Sequence, residues 1–151
     1  MKLAEALIER ADYQRSIAQL KERIELNVKV QEGEEPAEKI DDLIVMFNKT
    51  NDALSAIVKR INRTNATTML DGATLIDAIV TRDRLRAKIG MYQCICEAAQ
   101  PKQSRYSRSE LKFIRYVDVA ELRETINTLS KECRELETKI QAYNWTVELM
   151  E

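Results

Sequence analysis

The sequence predicts a mainly α fold, with antiparallel long-helix hairpins forming a coiled-coil-like four-helix bundle and a minor β element. Three observations carry this. Leu122, Ile126, Leu129, Cys133, Leu136, Ile140 and Tyr143 recur at alternating steps of four and three, the spacing that keeps one stripe of a helix facing a partner. Only 3 Gly and 2 Pro punctuate 151 residues and aromatics are 5%, too few for the turns and bulk of a compact sheet protein. Apolar residues still reach 44%, enough to fill a core. A single helical domain over 1–151 is expected.

The first helix is placed at about 2–30, where Leu3, Ala6, Tyr13, Ile17, Leu20 and Ile24 fall on heptad positions and Arg10 and Asn27 interrupt the stripe. Polar residues in such a seam cost stability but restrict register and partner number. Gly33 suits a left-handed helix end and Pro36 the start of the next helix, so the chain turns back sharply into an antiparallel hairpin. Helix two, about 37–63, repeats the pattern with Ile40, Phe47, Leu54 and Ile61 at sevens. Each of these helices is about 40 Å long at 1.5 Å per residue. Residues 62–74 break the pattern. Asp71-Gly72 is a strong turn dipeptide, and Met69-Leu70 has room for a very short strand. Helix three, about 75–99, has a weaker apolar face, with Arg82, Arg84, Arg86 and Lys88 crowding its middle. A loop or β segment follows over 100–117, strand-like from Leu111 to Val117. Asp118 and Glu121 then make an acidic capping box for helix four at about 118–143. Trp145, Val147 and Leu149 alternate in the tail 144–151. The tail, the segment around Phe113, or both are read as a small sheet, with a continued heptad through Val147 as the alternative.

Charge excludes some roles. Lys plus Arg (24) nearly cancels Asp plus Glu (25), so bulk attraction to nucleic acid or membrane is absent and any electrostatic role is local. With 0 His, neither Ser-His nor Cys-His activation nor the usual zinc pattern is available. P-loop, dinucleotide and EF-hand signatures are also missing. No enzyme, cofactor or metal site is expected. Cys94, Cys96 and Cys133 read as reduced, mostly buried thiols of a cytoplasmic protein. The acidic start Met1-Lys2-Leu3-Ala4-Glu5 does not resemble a signal peptide, and no apolar run nears a membrane span of ~20 residues.

Two constellations remain. Lys102, Arg105, Arg108, Lys112 and Arg115 stand against Glu110 alone, with Tyr106, Phe113 and Tyr116 interleaved. Cations among aromatics hold phosphates and stack bases, which makes Lys102, Arg105, Tyr106, Arg108, Lys112 and Arg115 the candidate anion or nucleic-acid contact. The opposite patch is Glu32, Glu34, Glu35, Asp41 and Asp42, expected at the same pole, and mutual neutralisation within or between chains outweighs nucleic-acid binding at neutral net charge. Arg60, Asn62, Arg63, Thr64 and Asn65 close helix two; attraction of Arg60 and Arg63 to the helix C-terminus accounts for them without a bound anion. Trp145, beside Asn144, is read as an anchor for the C-terminal residues.

Several blocks carry a family likeness: Met1-Lys2-Leu3-Ala4-Glu5-Ala6-Leu7, Gln31-Glu32-Gly33-Glu34-Glu35-Pro36, Ile61-Asn62-Arg63-Thr64-Asn65, Arg105-Tyr106-Ser107-Arg108-Ser109-Glu110, Val117-Asp118-Val119 and Asn144-Trp145-Thr146. In this order the chain resembles the septicolysin-like family of small bacterial proteins. The resemblance implies a bacterial, largely coiled-coil protein of uncharacterised function and supplies no catalytic residue. The expected role is a non-enzymatic, self-assembling scaffold or interaction protein, a homo-oligomer in the cytoplasm. Leu20, Phe47, Leu122, Leu129 and Leu136 are the expected seam residues. Nucleic-acid or phosphate binding through 100–117 is the first alternative. Membrane activity is the second, although no basic amphipathic helix supports it and stable insertion is not expected.

Overall fold

The computed structural model describes residues 1–100 and 114–151. It is mainly α, with four helices and a small two-stranded sheet: α1 (Leu3–Asn27), α2 (Ile40–Thr67), β1 (Met69–Leu70), β2 (Ala73–Thr74), α3 (Leu75–Ala98) and α4 (Val119–Thr146). Within the span read as one domain, the chain forms two compact units. Met1–Thr74 and Gln141–Glu151 make the first, and Leu75–Ile140 the second.

In the first unit α1 and α2 form the expected antiparallel hairpin. Leu3, Ala4, Ala6 and Leu20 of α1 are buried, as are Leu43, Ile57 and Ile61 of α2. Tyr13, Ile17, Phe47 and Leu54 on the same heptad stripes are half-buried. α1 stops at Asn27, short of Val30, for a reason that lies in Asn27 itself. Its Nδ2 donates to the Arg23 carbonyl (2.9 Å) and its Oδ1 accepts from the Glu38 backbone N–H (3.0 Å). One buried amide thus ends the helix and receives the returning chain. Gly33 keeps its positive φ of 93°, but in a turn closed by the Glu34 N–H on the Gln31 carbonyl (3.0 Å). Pro36 lies in the connection, and α2 begins at Ile40 rather than 37.

α2 runs past 63 to Thr67, through residues whose composition reads as a break. Thr64 and Thr67 turn their hydroxyls back onto the carbonyls of Arg60 (2.8 Å) and Arg63 (2.9 Å), a helical option open to threonine. Thr64 is also fully buried, and tertiary packing overrides its weak propensity. Asp71-Gly72 then forms the turn its residues favour. Both have positive φ (51° and 89°), as a two-residue hairpin turn of the I′ kind requires, and Met69 pairs with Thr74, Leu70 with Ala73.

The second unit contains α3 and most of α4. Arg86 of α3 reaches Glu137 of α4 (2.9 Å), while Tyr92 and Ile95 share a shallow groove with Leu122 and Thr125, so the two helices run antiparallel. Asp118 Oδ1 caps α4 by accepting from the N–H groups of Ala120 (2.8 Å) and Glu121 (3.2 Å), which accounts for the start read from sequence. The α4 stripe is real but unevenly covered: Cys133 and Ile140 are buried, and Leu122, Ile126, Leu129, Leu136 and Tyr143 only half so. α4 ends at Thr146 rather than Tyr143, because the Thr146 hydroxyl caps back onto the Ala142 carbonyl (3.1 Å). Ile114–Val117 form no strand; residues 111–113 lie outside the described residues.

The tail departs from expectation in its partner. Leu3 N–H donates to the Val147 carbonyl (3.0 Å) and Leu149 N–H to the Met1 carbonyl (2.9 Å), around an antiparallel bridge between Lys2 and Glu148. The alternation at Trp145, Val147 and Leu149 therefore marks an extended segment only from Val147 onward, and it pairs with the first residues of the chain.

Candidate interaction surfaces

The α1–α2 turn is the first surface. Glu38 forms an ion pair with Arg23, and the hydrogen bond that Arg23 Nε donates to Glu38 Oε2 (3.0 Å) together with the Asn27 bond fixes the end of the hairpin. The Arg23 guanidinium holds the Glu38 carboxyl below its ordinary range, chiefly through that hydrogen bond. With Glu38 occupied, Glu32, Glu34, Glu35, Asp41 and Asp42 all remain exposed. Asp41 and Asp42 sit in the first turn of α2, where the helix dipole favours negative charge. Among them lies an apolar group that the core does not use. Leu26 is 71% and Val45 66% exposed, and Val28, Val30, Ile44 and Met46 are exposed as well. At this end of α2 Leu43 alone is fully buried, so three consecutive apolar side chains are left to solvent. Single exposed hydrophobes are ordinary; six of them close to one acidic turn are more than is usual for one end of a hairpin.

The second surface is the clasp around the tail, and it uses the polar cluster at the end of α2. The Thr64 hydroxyl accepts from the Met150 N–H (3.0 Å) while donating to Arg60 O. Arg60 Nε donates to the Met150 carbonyl (3.0 Å), and Arg63 reaches the Glu151 carbonyl. These groups therefore hold the chain's own backbone. Sequence reasoning saw the cluster without its partner, since carbonyl acceptors carry no residue signature. Trp145 does not anchor the tail as expected: it is 58% exposed, while its neighbour Asn144 is buried.

Glu148 closes the clasp through Lys2 Nζ (2.6 Å) and the Met1 amine (3.3 Å). The Lys2 hydrogen bond, then that of the Met1 amine, lowers its pKa from the ordinary 4.5. A carboxyl depressed in the folded state contributes stability that is complete above its unfolded value and lost as pH falls through the folded one. Thermal melts should show the midpoint declining as pH drops below 4.5, with Glu148→Gln flattening part of that decline. Exposure and salt screening keep the effect small.

Lys102, Arg105, Tyr106, Arg108 and Lys112 lie outside the described residues. Arg115 is exposed, and so are its neighbours Ile114 and Tyr116. In the second unit Arg82 (3.6 Å) and Arg86 (2.9 Å) converge on Glu137, so part of the basic run of α3 serves an internal ion pair. Cys94 is exposed, Cys96 and Cys133 are buried, and all three are free thiols. Among the described residues, no group of three or more Cys, Asp or Glu is arranged to hold a metal, and no helix is long and apolar enough to cross a membrane.

Four helices and a small two-stranded sheet define a mainly α-helical protein. A model of a family of unknown function, DUF6847, matches residues 10–149, and the chain belongs to that family. This corrects the septicolysin-like resemblance, for no septicolysin-like family is indicated. Among the described residues, the blocks at 1–7, 31–36, 117–119 and 144–146 are helix ends and turns, whose residue types recur for capping reasons alone. The chain is also similar to a functionally unknown conserved protein from Corynebacterium diphtheriae seen in a crystal structure, at 38% identity, with 99% of each chain covered and a TM-score of 0.93. No curated protein matches the chain significantly.

Proposed function

We propose that this protein is a non-enzymatic, cytoplasmic interaction protein that assembles with copies of itself. The observation that carries the reading is the exposed apolar group at the α1–α2 turn, Leu26, Val28, Ile44, Val45 and Met46, set among the exposed acids Glu32, Glu34, Glu35, Asp41 and Asp42. Its complement is written in the same chain. Residues 102–117 combine five cations with Tyr106, Phe113, Ile114, Tyr116 and Val117, opposite in charge and equally rich in apolar side chains. A contact between the acidic turn of one copy and the basic segment of another buries both and neutralises both.

Light scattering at micromolar concentration tests this. The mass should exceed the 17.5 kDa of one chain at about 50 mM salt and decline toward it at about 500 mM, where exposed charges are largely screened. Val45→Asp should lower the mass at low salt. A single-chain mass at every salt concentration overturns the reading. The exposed Arg115 and Tyr116 also suit a nucleic acid. Salt-sensitive retention of monomer on DNA or RNA, abolished by Arg105→Ala, Arg108→Ala and Arg115→Ala together, would transfer the function to that class.

A further inference from the structure

α3, which lies wholly in the second unit, carries two heptad rows instead of one. Leu75, Ala78, Leu85 and Cys96 are buried, with Arg82 and Ile89 half-buried between them. These mark the covered side. Val80, Arg84, Ala87, Met91, Cys94 and Ala98 recur at alternating steps of four and three, and every one of them is exposed. At about 3.6 residues per turn, this second row lies roughly half a turn from the first. Its two largest apolar members are bare, Val80 being 61% and Met91 62% exposed. Such spacing is how one helix meets another along its length, and apolar rows on opposite sides suit a helix covered on both. Arg84 is the polar member of the row. Arg84 and Glu97 are both exposed, and neither has an ion pair or side-chain hydrogen bond among the described residues.

We infer that the exposed side of α3 docks against α3 of a second copy, laid antiparallel about a two-fold axis. The row itself selects this occupant. With Ala87 of one copy facing Met91 of the other, the remaining layers follow: Val80 stands opposite Ala98, and Arg84 opposite Cys94. Each layer sets a large side chain against a small one, the alternation that lets facing rows interdigitate without voids. A parallel pairing in register would put Met91 on Met91 and Ala87 on Ala87, crowding one layer and emptying the other. Charge points the same way. In the antiparallel pairing Glu97 of the second copy lies one turn beyond Cys94, on the flank that Arg84 occupies, so an unused anion meets an unused cation. The two-fold axis repeats that pair. Asp83 shares the flank, but its carboxylate is already held by Arg82 (2.8 Å). Parallel pairing would instead set Arg84 against its own counterpart. Lys88 meets its counterpart near the axis, at the rim, where a long stem carries its charge out to water.

This inference rests on the self-association proposed above and gives it a second contact, with a different response to salt. The turn contact joins acid to base and weakens with salt; the α3 contact is mainly apolar and persists. Sedimentation of the full chain at about 0.5 M salt, where exposed charges are screened, should therefore still show a dimer. Arg84→Cys places a thiol opposite Cys94 of the second copy, so oxidised glutathione should convert this variant to a covalent dimer. Adding Cys94→Ser should abolish that product. The unaltered chain should not bridge through Cys94, because the two Cys94 residues stand ten residues apart along the pair, about 15 Å, beyond disulfide reach. Met91→Lys, a change at an exposed position, should keep the melting temperature. It should weaken the dimer about 100-fold, roughly tenfold for each of its two copies. Monomer at 0.5 M salt, with association at low salt that Val45→Asp removes, would leave the turn contact standing and overturn this one. A dimer at 0.5 M salt that Arg84→Cys fails to bridge would overturn it equally. A bridged dimer with no further salt-sensitive association would support it while removing the turn contact.

Discussion

Ile61→Ala is expected to remove about 2–5 kcal/mol from the stability of the protein, the range for truncating a fully buried aliphatic side chain. Ile61 is 1% exposed and belongs to the α2 stripe that faces α1 with Leu43 and Ile57. The long helices hold their positions rigidly, so the hole left by the lost methyl groups cannot collapse easily, which places the loss toward the upper part of that range. Set against a total of about 5–15 kcal/mol for a domain, one such change can leave the first unit largely unfolded. Urea denaturation followed by helical circular dichroism measures it. The internal comparison is Ile44→Ala, at an exposed position on the same helix, which should stay within about 0.5 kcal/mol. Equal losses at both positions would mean that the α1–α2 packing described above is not what holds the unit together.

Thr64→Val is the second large effect, and it works through a hydrogen bond rather than volume. The two side chains are nearly isosteric, so the cavity term vanishes and the hydroxyl alone is tested. Thr64 is fully buried and is the acceptor for the Met150 N–H (3.0 Å). Removing the acceptor strands a backbone donor inside the clasp, at about 1–3 kcal/mol. The denaturation midpoint should fall accordingly, and exchange of the Met150 amide should accelerate more than exchange in the middle of α2. Thr64→Ser keeps the hydroxyl and should preserve the slow Met150 exchange. If Thr64→Val left that exchange unchanged, the hydroxyl would not be the group holding the tail.

The helices were legible because their signals are local and periodic. The seam from Leu122 to Tyr143, the Asp118 cap and the Asp71-Gly72 turn each depend on residues a few positions apart, and each appears where the spacing puts it. The misreadings share a cause, which is that long-range contacts decide them. Asn27 looks like a register device in a heptad and acts as the receptor for Glu38. The polar end of α2 looks like a break because nothing local announces that Met150 and Glu151 will cover it. Trp145 reads as an anchor on average burial, yet the anchoring is done by backbone groups that composition does not reveal. The acidic turn was legible as a charge run; its exposed partners Leu26 and Val45 were not, because a heptad pattern says which residues face a neighbour and not which remain uncovered.

The reciprocal bonds of Leu3 with Val147 and of Met1 with Leu149 also bear on how the protein is made. During synthesis the α1–α2 hairpin emerges well before the strand-like segment that completes its unit, because residues 75–140 lie between them. The second unit, continuous in sequence from Leu75 to Ile140, can mature in the interval. The nascent first unit must wait with one edge unsealed, a stage at which chaperones have the most to protect.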